Sequence, residues 1–397
     1  RPPRWDRNRF RPTSYGFGSR QTDMAPETTD WKRLTGGPVY DWIPEPLPPV
    51  MSEYLESEMR TALSRGEDAL RVHDHLADER ARQFRDDAAY RERVREYVEA
   101  TGVTTFGATL ISFGRENPQG WDGIVDGARR VQTYVDAADW LSKALTPADM
   151  RSDGVSILLQ IEDTSALDGS TARLADLYDF GVRTVQLTYS SRNLVGDGCA
   201  ERTDAGLSEF GLDVVERANE LGMMIELSHC GRTTTTEAID VSDDPPAFSH
   251  VFCRALRDEP RGKSDEELER LAAADGYVGI SAIPFFQGEE DGFAAMLDHV
   301  EHAADVVGVE RVGIGTNWGI WTPELPADLR DGMKRSLRDH VSDDPSARPM
   351  GVGLPPMDTY RDWETIPEGL TERGYDPEER RLLCGESFLG YFERVAT

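Results

Sequence analysis

The stretch MMIELSHCGRTTTTEAIDVSDDPPAFSHVFCRALRDEPR, residues 223–261, decides the fold, because two short apolar runs in it end in the same dipeptide. The runs Met223–Leu227 and Pro245–Phe248 are each followed by Ser-His. Apolar runs of this length predict buried strands, and the segment between them predicts a short helix. The stretch therefore predicts a β-α-β unit in which His229 and His250 lie just past the carboxyl ends of two parallel strands.

The position of these two histidines indicates a functional face. In a (β/α)8 barrel the carboxyl ends of the strands carry the active site. Imidazole is the commonest metal ligand, and two imidazoles from neighbouring strand ends can converge on one ion. A single histidine at such a place is more often a rim residue. Because the placement is repeated, we interpret His229 and His250 as metal ligands.

The alternation of strands and helices continues along the chain. Strand-like runs separated by helical segments indicate a parallel sheet. About eight runs, most of them ending in a polar residue, favour a closed barrel over an open sheet. We therefore predict an α/β fold, a (β/α)8 TIM barrel over residues 51–397, with added helices at its carboxyl terminus. The predicted strands are 69–72, 103–112, 155–161, 183–188, 223–227, 245–248, 277–283 and 311–315.

Residues 1–50 differ from the rest of the chain in composition. They are rich in Pro, Arg and Asp, show no periodicity, and end near the rigid proline run of residues 44–49. Such composition is typical of irregular or partly disordered segments. We predict an N-terminal arm that lies over the barrel domain.

Two further places carry candidate metal ligands. Glu162 closes the predicted strand 155–161, where a buried carboxylate is costly unless it meets a cation or hydrogen-bond donors. The competing interpretation is an ordinary helix-capping acid, a role that Asp163 could also take. His73 and His75 follow the predicted strand 69–72, where side chains two residues apart share one face. They are candidate ligands of a metal, with a charged surface loop as the equally weighted alternative.

The charge balance excludes some classes of partner. Lys+Arg number 44 against 73 Asp+Glu, for a net charge of -29, which argues against nucleic acid or an anionic membrane as partner. Nearly all basic residues are arginine, since Lys32, Lys143, Lys263 and Lys334 are the four lysines. Dispersed acid with little lysine favours a protein kept soluble at high salt, over an ordinary acidic cytosolic protein.

The remaining sequence features concern compartment and assembly. No run approaches the ~18–20 apolar residues of a membrane span. No signal peptide is recognisable, although a removed leader stays open because residue 1 is Arg. The four cysteines form no CxxC pair, which favours a reducing compartment. We expect a cytoplasmic protein of a halophilic organism, and the sequence leaves a homodimer open.

Several stretches of the chain follow one known pattern. They are IEDTSALDGS, GVRTVQLTYSSRNLVGDGC, GLSEFG, LGMMIELSH, FSHVFCRAL, EPRGKSDEEL, VGVERVGIGTNW and the tail IPEGLTERGYDPEERRLLCGESFLGYFERV. In these stretches the chain resembles the membrane (renal) dipeptidase family, the M19 peptidases. The resemblance covers about residues 68–395, and the motifs occur in the family's order. It implies a (β/α)8 TIM barrel of the metal-dependent hydrolase type with two zinc ions bridged by a glutamate, which cleaves dipeptides and tolerates a D-residue on the carboxyl side.

The resemblance also implies roles for single residues. Glu162 matches the family's bridging glutamate, and His229 and His250 match the histidines of the second metal. Arg261 matches the arginine that pairs with the substrate carboxylate, and Arg254 matches a second arginine of that segment. The chemistry agrees, because a planar guanidinium binds a carboxylate through two hydrogen bonds. The implied cofactor is Zn²⁺, one or two ions, and the implied partner is a small dipeptide-like substrate.

Three positions depart from the family's pattern. The first-strand motif is His-x-Asp in the family, whereas this chain has His73 and His75 around an Asp. Tyr189 stands where the family has a histidine that stabilises the tetrahedral intermediate, and we predict that Tyr189 also contributes to substrate binding. Asn317 stands at the family's last-strand aspartate, a metal ligand and proton acceptor, and an amide does not accept a proton at neutral pH. These changes predict weak or absent hydrolysis of simple dipeptides.

Three hypotheses follow. The first is a metal-dependent hydrolase of a dipeptide or similar small amide, with Asn317, Tyr189 and Glu162 as its catalytic residues. The second is a one-metal amidohydrolase-like enzyme that acts on a non-peptide substrate. The third is a catalytically impaired homologue that serves as a binding protein. The joint presence of the candidate ligands favours an enzyme, and we rank the three in this order. The candidate ligands are His73, His75, Glu162, His229 and His250.

Overall fold

The computed structural model describes residues 37–43, 45–113, 115–283, 292–318, 325–332, 354, 356–357 and 359–396. Its centre is a parallel sheet with strands in the order β1-β2-β4-β5-β6-β7-β8-β9, to which the short strand β3 adds beside β4. The eight strands of this path form a nearly closed barrel, so the predicted (β/α)8 fold is confirmed. The strands are β1 Tyr40–Ile43, β2 Thr105–Thr109, β3 Leu141–Lys143, β4 Val155–Ile161, β5 Val182–Gln186, β6 Met224–Glu226, β7 Ala247–Val251, β8 Tyr277–Ile280 and β9 Val312–Ile314.

Helices surround this barrel. Most pack a buried apolar stripe against the strands, as the helical spacing of their apolar residues requires. No helix among the described residues is long and apolar enough to cross a membrane. The cytoplasmic location and the halophilic source remain predictions. The helices are α1 Glu53–Ser64, α2 Ala69–Asp86, α3 Ala88–Thr101, α4 Trp121–Ala137, α5 Ala172–Phe180, α6 Glu209–Glu220, α7 Arg232–Val241, α8 Asp265–Ala273, α9 Gly292–Val307, α10 Thr365–Glu372, α11 Pro377–Arg381 and α12 Ser387–Val395.

The two ends of the strand path meet through one buried carboxylate. Asp41 in β1 accepts hydrogen bonds from the backbone N–H and the hydroxyl of Thr316, each at 2.7 Å, just after β9. Its second oxygen also accepts from the Tyr360 hydroxyl and from Nε1 of Trp363. The Asn317 N–H donates to the carbonyl of Trp42 at 3.0 Å. These bonds link the first strand, the last strand and the carboxyl-terminal segment.

Helix α12 covers one end of the barrel. Aromatic residues of α12 pack with Tyr40 of β1 and Tyr277 of β8 in one buried cluster. The Phe388 ring stacks on Tyr40 with centroids 3.6 Å apart. This packing leaves the opposite end, where the strands terminate, for the functional residues.

The structure corrects the predicted start of the barrel. Tyr40–Ile43 lies within the segment that we predicted to be an irregular arm, yet it forms β1 and pairs in parallel with β2. The strand has only four residues and stands between prolines, so its apolar run is too short to be recognised without its partner. Residues 1–36 of the predicted arm lie outside the described residues, and the division into arm and domain remains a prediction.

The predicted strand 69–72 is also wrong. These residues open helix α2, whose first N–H groups are capped by the side chain of Asp68. Short apolar runs do not distinguish a strand from a buried helix segment. On a helix, residues two apart lie on different faces, and accordingly His73 is buried while the His75 side chain is 40% exposed.

Candidate metal centre

Three of the predicted ligands meet at the carboxyl ends of the barrel strands. Glu162 directly follows β4, His229 lies three residues after β6, and His250 lies within β7. One ligand atom of each lies within 4.8 Å of the others, and all three residues are buried. Among the described residues, these form the one group of His, Cys, Asp or Glu side chains close enough to hold an ion.

The two imidazoles direct the same nitrogen into this group. Nε2 of His229 lies 2.9 Å from Nε2 of His250, and the latter atom lies 3.7 Å from Oε1 of Glu162. The other ring nitrogens contact serine hydroxyls. Nδ1 of His229 is 3.1 Å from Oγ of Ser190, and Nδ1 of His250 is 2.7 Å from Oγ of Ser249. Hydrogen-bonded Nδ1 atoms and converging Nε2 atoms are typical of metal-ligating histidines.

Electrostatics of the group favour neutral imidazoles. Burial, followed by the positive charge of Arg261, holds the pKa of His229 and of His250 well below the ordinary value. Burial, followed by the nearby Glu226, raises the pKa of Glu162 to about 8. Neutral imidazole is the form that binds metals, and a cation beside Glu162 favours its charged form. The residues present therefore fit one divalent cation.

Two aromatic rings fix the planes of the imidazoles. Trp42 of β1 stacks on His250 with ring centroids 3.9 Å apart and an interplanar angle of 6°. Tyr189 stacks on His229 at 4.2 Å and 18°. Tyr189 is 40% exposed, so its ring covers the imidazole on the accessible side. The role of Trp42 was missed because the sequence placed it in the irregular arm.

The two predicted substrate arginines have different surroundings. Arg261 is buried, and its Nη2 donates to the carbonyl of His250 at 2.9 Å. This bond joins the guanidinium to the segment that carries the metal ligand. Arg254 has a side chain that is 40% exposed and pairs with Asp258, four residues later. The structure therefore brings Arg261 to the centre and places Arg254 in a surface ion pair.

Asn317 lies at the same end of the barrel, after β9. Its φ of 58° is in the left-handed region, which Asn and Asp adopt more readily than most residues. Its backbone N–H is bonded to the carbonyl of Trp42, whose ring stacks on His250. The backbone here is therefore compatible with either an amide or an acid side chain.

The structure does not bring His73 and His75 into the metal-binding group. His73 forms an ion pair with Glu45, which also pairs with Arg80 at 2.9 Å, and all three side chains are buried. His75 lies 3.3 Å from Glu58 on the neighbouring helix. Both histidines lie on α2 rather than at a strand end, so helical geometry separates them from each other. We therefore reassign His73 to a buried ion-pair cluster.

Comparison with known proteins identifies a matching family. Residues 119–336 match the family described as membrane dipeptidase, Peptidase family M19. That range includes Glu162, His229, His250, Arg261 and Asn317, but neither α2 nor β1. Dipeptidase verJ of Clonostachys rogersoniana is 30% identical over 219 residues, 51% of this chain and 56% of that protein. Dipeptidase 3 of Mus musculus is 31% identical over 253 residues, 61% of this chain and 45% of that protein. The chain thus spans about half the length of the curated relatives it matches.

Solved structures agree in fold. An amidohydrolase from Pseudomonas aeruginosa has a TM-score of 0.65 at 23% identity, over 92% of this chain and 98% of that one. A metallo peptidase from Rhodobacter sphaeroides, liganded with a phosphinate mimic of the dipeptide L-Ala-D-Ala, has a TM-score of 0.64 at 18% identity, over 90% and 99%. These TM-scores show that the barrel fold is shared, and at identities below 25% the likeness concerns the fold alone.

Proposed function

The chain belongs to the membrane dipeptidase family, Peptidase family M19, and from that premise we propose that it is a metal-dependent hydrolase of a dipeptide or similar small amide with a free carboxylate. The observation that carries this proposal is the convergence of Glu162, His229 and His250, all buried at the carboxyl end of the barrel. A buried carboxylate beside two neutral imidazoles has little structural value by itself, because it costs free energy unless a cation compensates it.

The chemistry needs both an ion and the surrounding residues. A bound Zn²⁺ would lower the pKa of water and polarise the scissile carbonyl. Glu162, His229 and His250 would hold it. The Asn317 amide can donate and accept hydrogen bonds but does not take up a proton. Glu162 is the group of the centre that can take up a proton. Tyr189 shields His229 from solvent on the accessible side.

Arg261 supports the proposed class of substrate. It is buried beside the centre, and its guanidinium is tied to the His250 carbonyl at 2.9 Å. A cation held at a fixed distance from a metal centre suits a substrate whose carboxylate lies near the scissile bond. We therefore assign substrate-carboxylate binding to Arg261 rather than to the exposed Arg254.

The proposal is tested by dipeptide hydrolysis in the natural protein and in Asn317→Asp. We expect slow, zinc-dependent hydrolysis of free-acid dipeptides such as Gly-D-Ala, and slower hydrolysis of the same dipeptides amidated at the carboxyl terminus. Because Asp restores a proton acceptor where the left-handed backbone tolerates it, Asn317→Asp should raise the rate by about 10²–10⁴-fold.

The matched control is Asn317→Gly, which also tolerates the left-handed backbone but supplies no acid. It should not gain activity. Absence of hydrolysis in both the natural protein and the Asp variant, with zinc bound, would contradict the dipeptidase proposal.

One observation favours the second candidate, an amidohydrolase-like enzyme with one metal and a non-peptide substrate. His73 forms a buried ion pair with Glu45. Among the described residues, the possible metal ligands form one group, enough for a single ion. Zinc-dependent turnover of small esters or lactams without turnover of dipeptides would support this candidate. Stable ligand binding without any turnover would support the binding-protein alternative.

A further inference from the structure

A buried chain of polar groups lies behind the metal-binding face of His250. It begins at Glu226, the last residue of β6, which is 2% exposed. Oε1 of Glu226 accepts hydrogen bonds from the backbone N–H groups of Ser228 at 2.9 Å and Ser249 at 2.8 Å. It also accepts a hydrogen bond from the Ser228 hydroxyl. Because two backbone N–H groups already donate to it, this oxygen is an acceptor whatever charge the carboxyl group carries.

The Ser249 hydroxyl connects this acceptor to the imidazole. Its Oγ lies 3.0 Å from Oε1 of Glu226 and 2.7 Å from Nδ1 of His250. A hydroxyl carries one hydrogen, so it can donate in only one of these contacts. Since Oε1 has no hydrogen to offer, Ser249 donates to Glu226. The short contact to His250 then requires a hydrogen on Nδ1 of the imidazole.

With Nδ1 of His250 protonated and the ring neutral, Nε2 carries the lone pair. We propose that Glu226, acting through Ser249, is a positioning residue that holds His250 in the Nδ1–H tautomer, with Nε2 available to bind the metal. The proposal rests on the proposed metal centre.

The test is the tautomeric state of His250, read by ¹H–¹⁵N NMR on protein labelled at its 7 histidines. The signal is assigned by substitution of His250. In metal-free protein we expect the Nδ1–H tautomer for His250, and on titration with Zn²⁺ His250 should keep this state. An Nε2–H tautomer for His250 in the metal-free protein would overturn the proposal, whether or not the protein hydrolyses dipeptides.

Substitutions locate the cause of the preference. Ser249→Ala removes the hydroxyl and should lower zinc affinity by about 10–100-fold, as loss of a partner behind a metal ligand typically does. It should also mix the tautomers of His250. In Glu226→Gln the amide oxygen can take the Oε1 position and keep the acceptor. His250 should therefore retain the Nδ1–H tautomer in this variant. The matched control Ser190→Ala removes a hydroxyl beside the other imidazole and should leave the tautomer of His250 unchanged. An unchanged His250 tautomer and zinc affinity in Ser249→Ala would contradict the proposed relay.

Discussion

Replacing His250 by alanine is expected to remove the bound zinc and to lower the hydrolytic rate by roughly three orders of magnitude, because the several kcal/mol of transition-state stabilisation that a metal supplies are lost. His250 is fully buried, and its Nε2 lies 2.9 Å from Nε2 of His229. The rate with a free-acid dipeptide and the zinc content of the purified protein are the two measurements.

The matched control is His75→Ala. The sequence assigned both histidines to metal binding, but the structure places His75 on α2 against Glu58, with a side chain that is 40% exposed. We expect this variant to keep its zinc and its rate. Equal loss of zinc in the two variants would contradict the structural assignment of the ligands.

Replacing Asp41 by alanine is expected to destabilise the protein by on the order of 2–4 kcal/mol, since the buried donors of Thr316, Tyr360 and Trp363 lose their acceptor. Asp41 is fully buried and ties β1 to the segments after β9. Chemical denaturation monitored by tryptophan fluorescence measures the loss.

The same residue predicts a dependence on pH. Burial outweighs the hydrogen bonds from Tyr360 and Thr316 and raises the pKa of Asp41 from 3.8 to about 6. The folded state therefore holds this proton more tightly than the unfolded state does. The stabilisation is fully present below pH 3.8 and is lost as the pH rises to about 6, a loss of roughly 3 kcal/mol. Asp41→Asn, which cannot ionise, should lack this loss, and parallel pH profiles of the two proteins would contradict the assignment.

The sequence predicted the centre better than the start of the barrel. The run Val155–Ile161 forms β4 as predicted, and the two Ser-His dipeptides lie at neighbouring strands β6 and β7. These features are local, because an apolar run followed by a ligand residue is visible without knowledge of the fold. The convergence of Glu162, His229 and His250 then follows from the geometry of parallel strands.

The features that were missed depend on contacts between distant residues. The strand Tyr40–Ile43 is recognisable only from its pairing with β2, some 65 residues away. The partnership of His73 with Glu45 depends on the position of that strand. The relay from Glu226 to His250 depends on side-chain orientation, although the serine that precedes each histidine was a signal in the sequence. Such pairings have no periodicity that a sequence pattern could reveal.

We propose that Glu162, His229 and His250 together hold a catalytic zinc ion. The most direct measurement is a crystal structure of the zinc-loaded protein with anomalous scattering recorded at the zinc absorption edge. We expect an anomalous peak about 2.0–2.2 Å from Nε2 of both histidines and from a carboxylate oxygen of Glu162. Zinc bound at His73 or His75, with no peak between these three side chains, would contradict it.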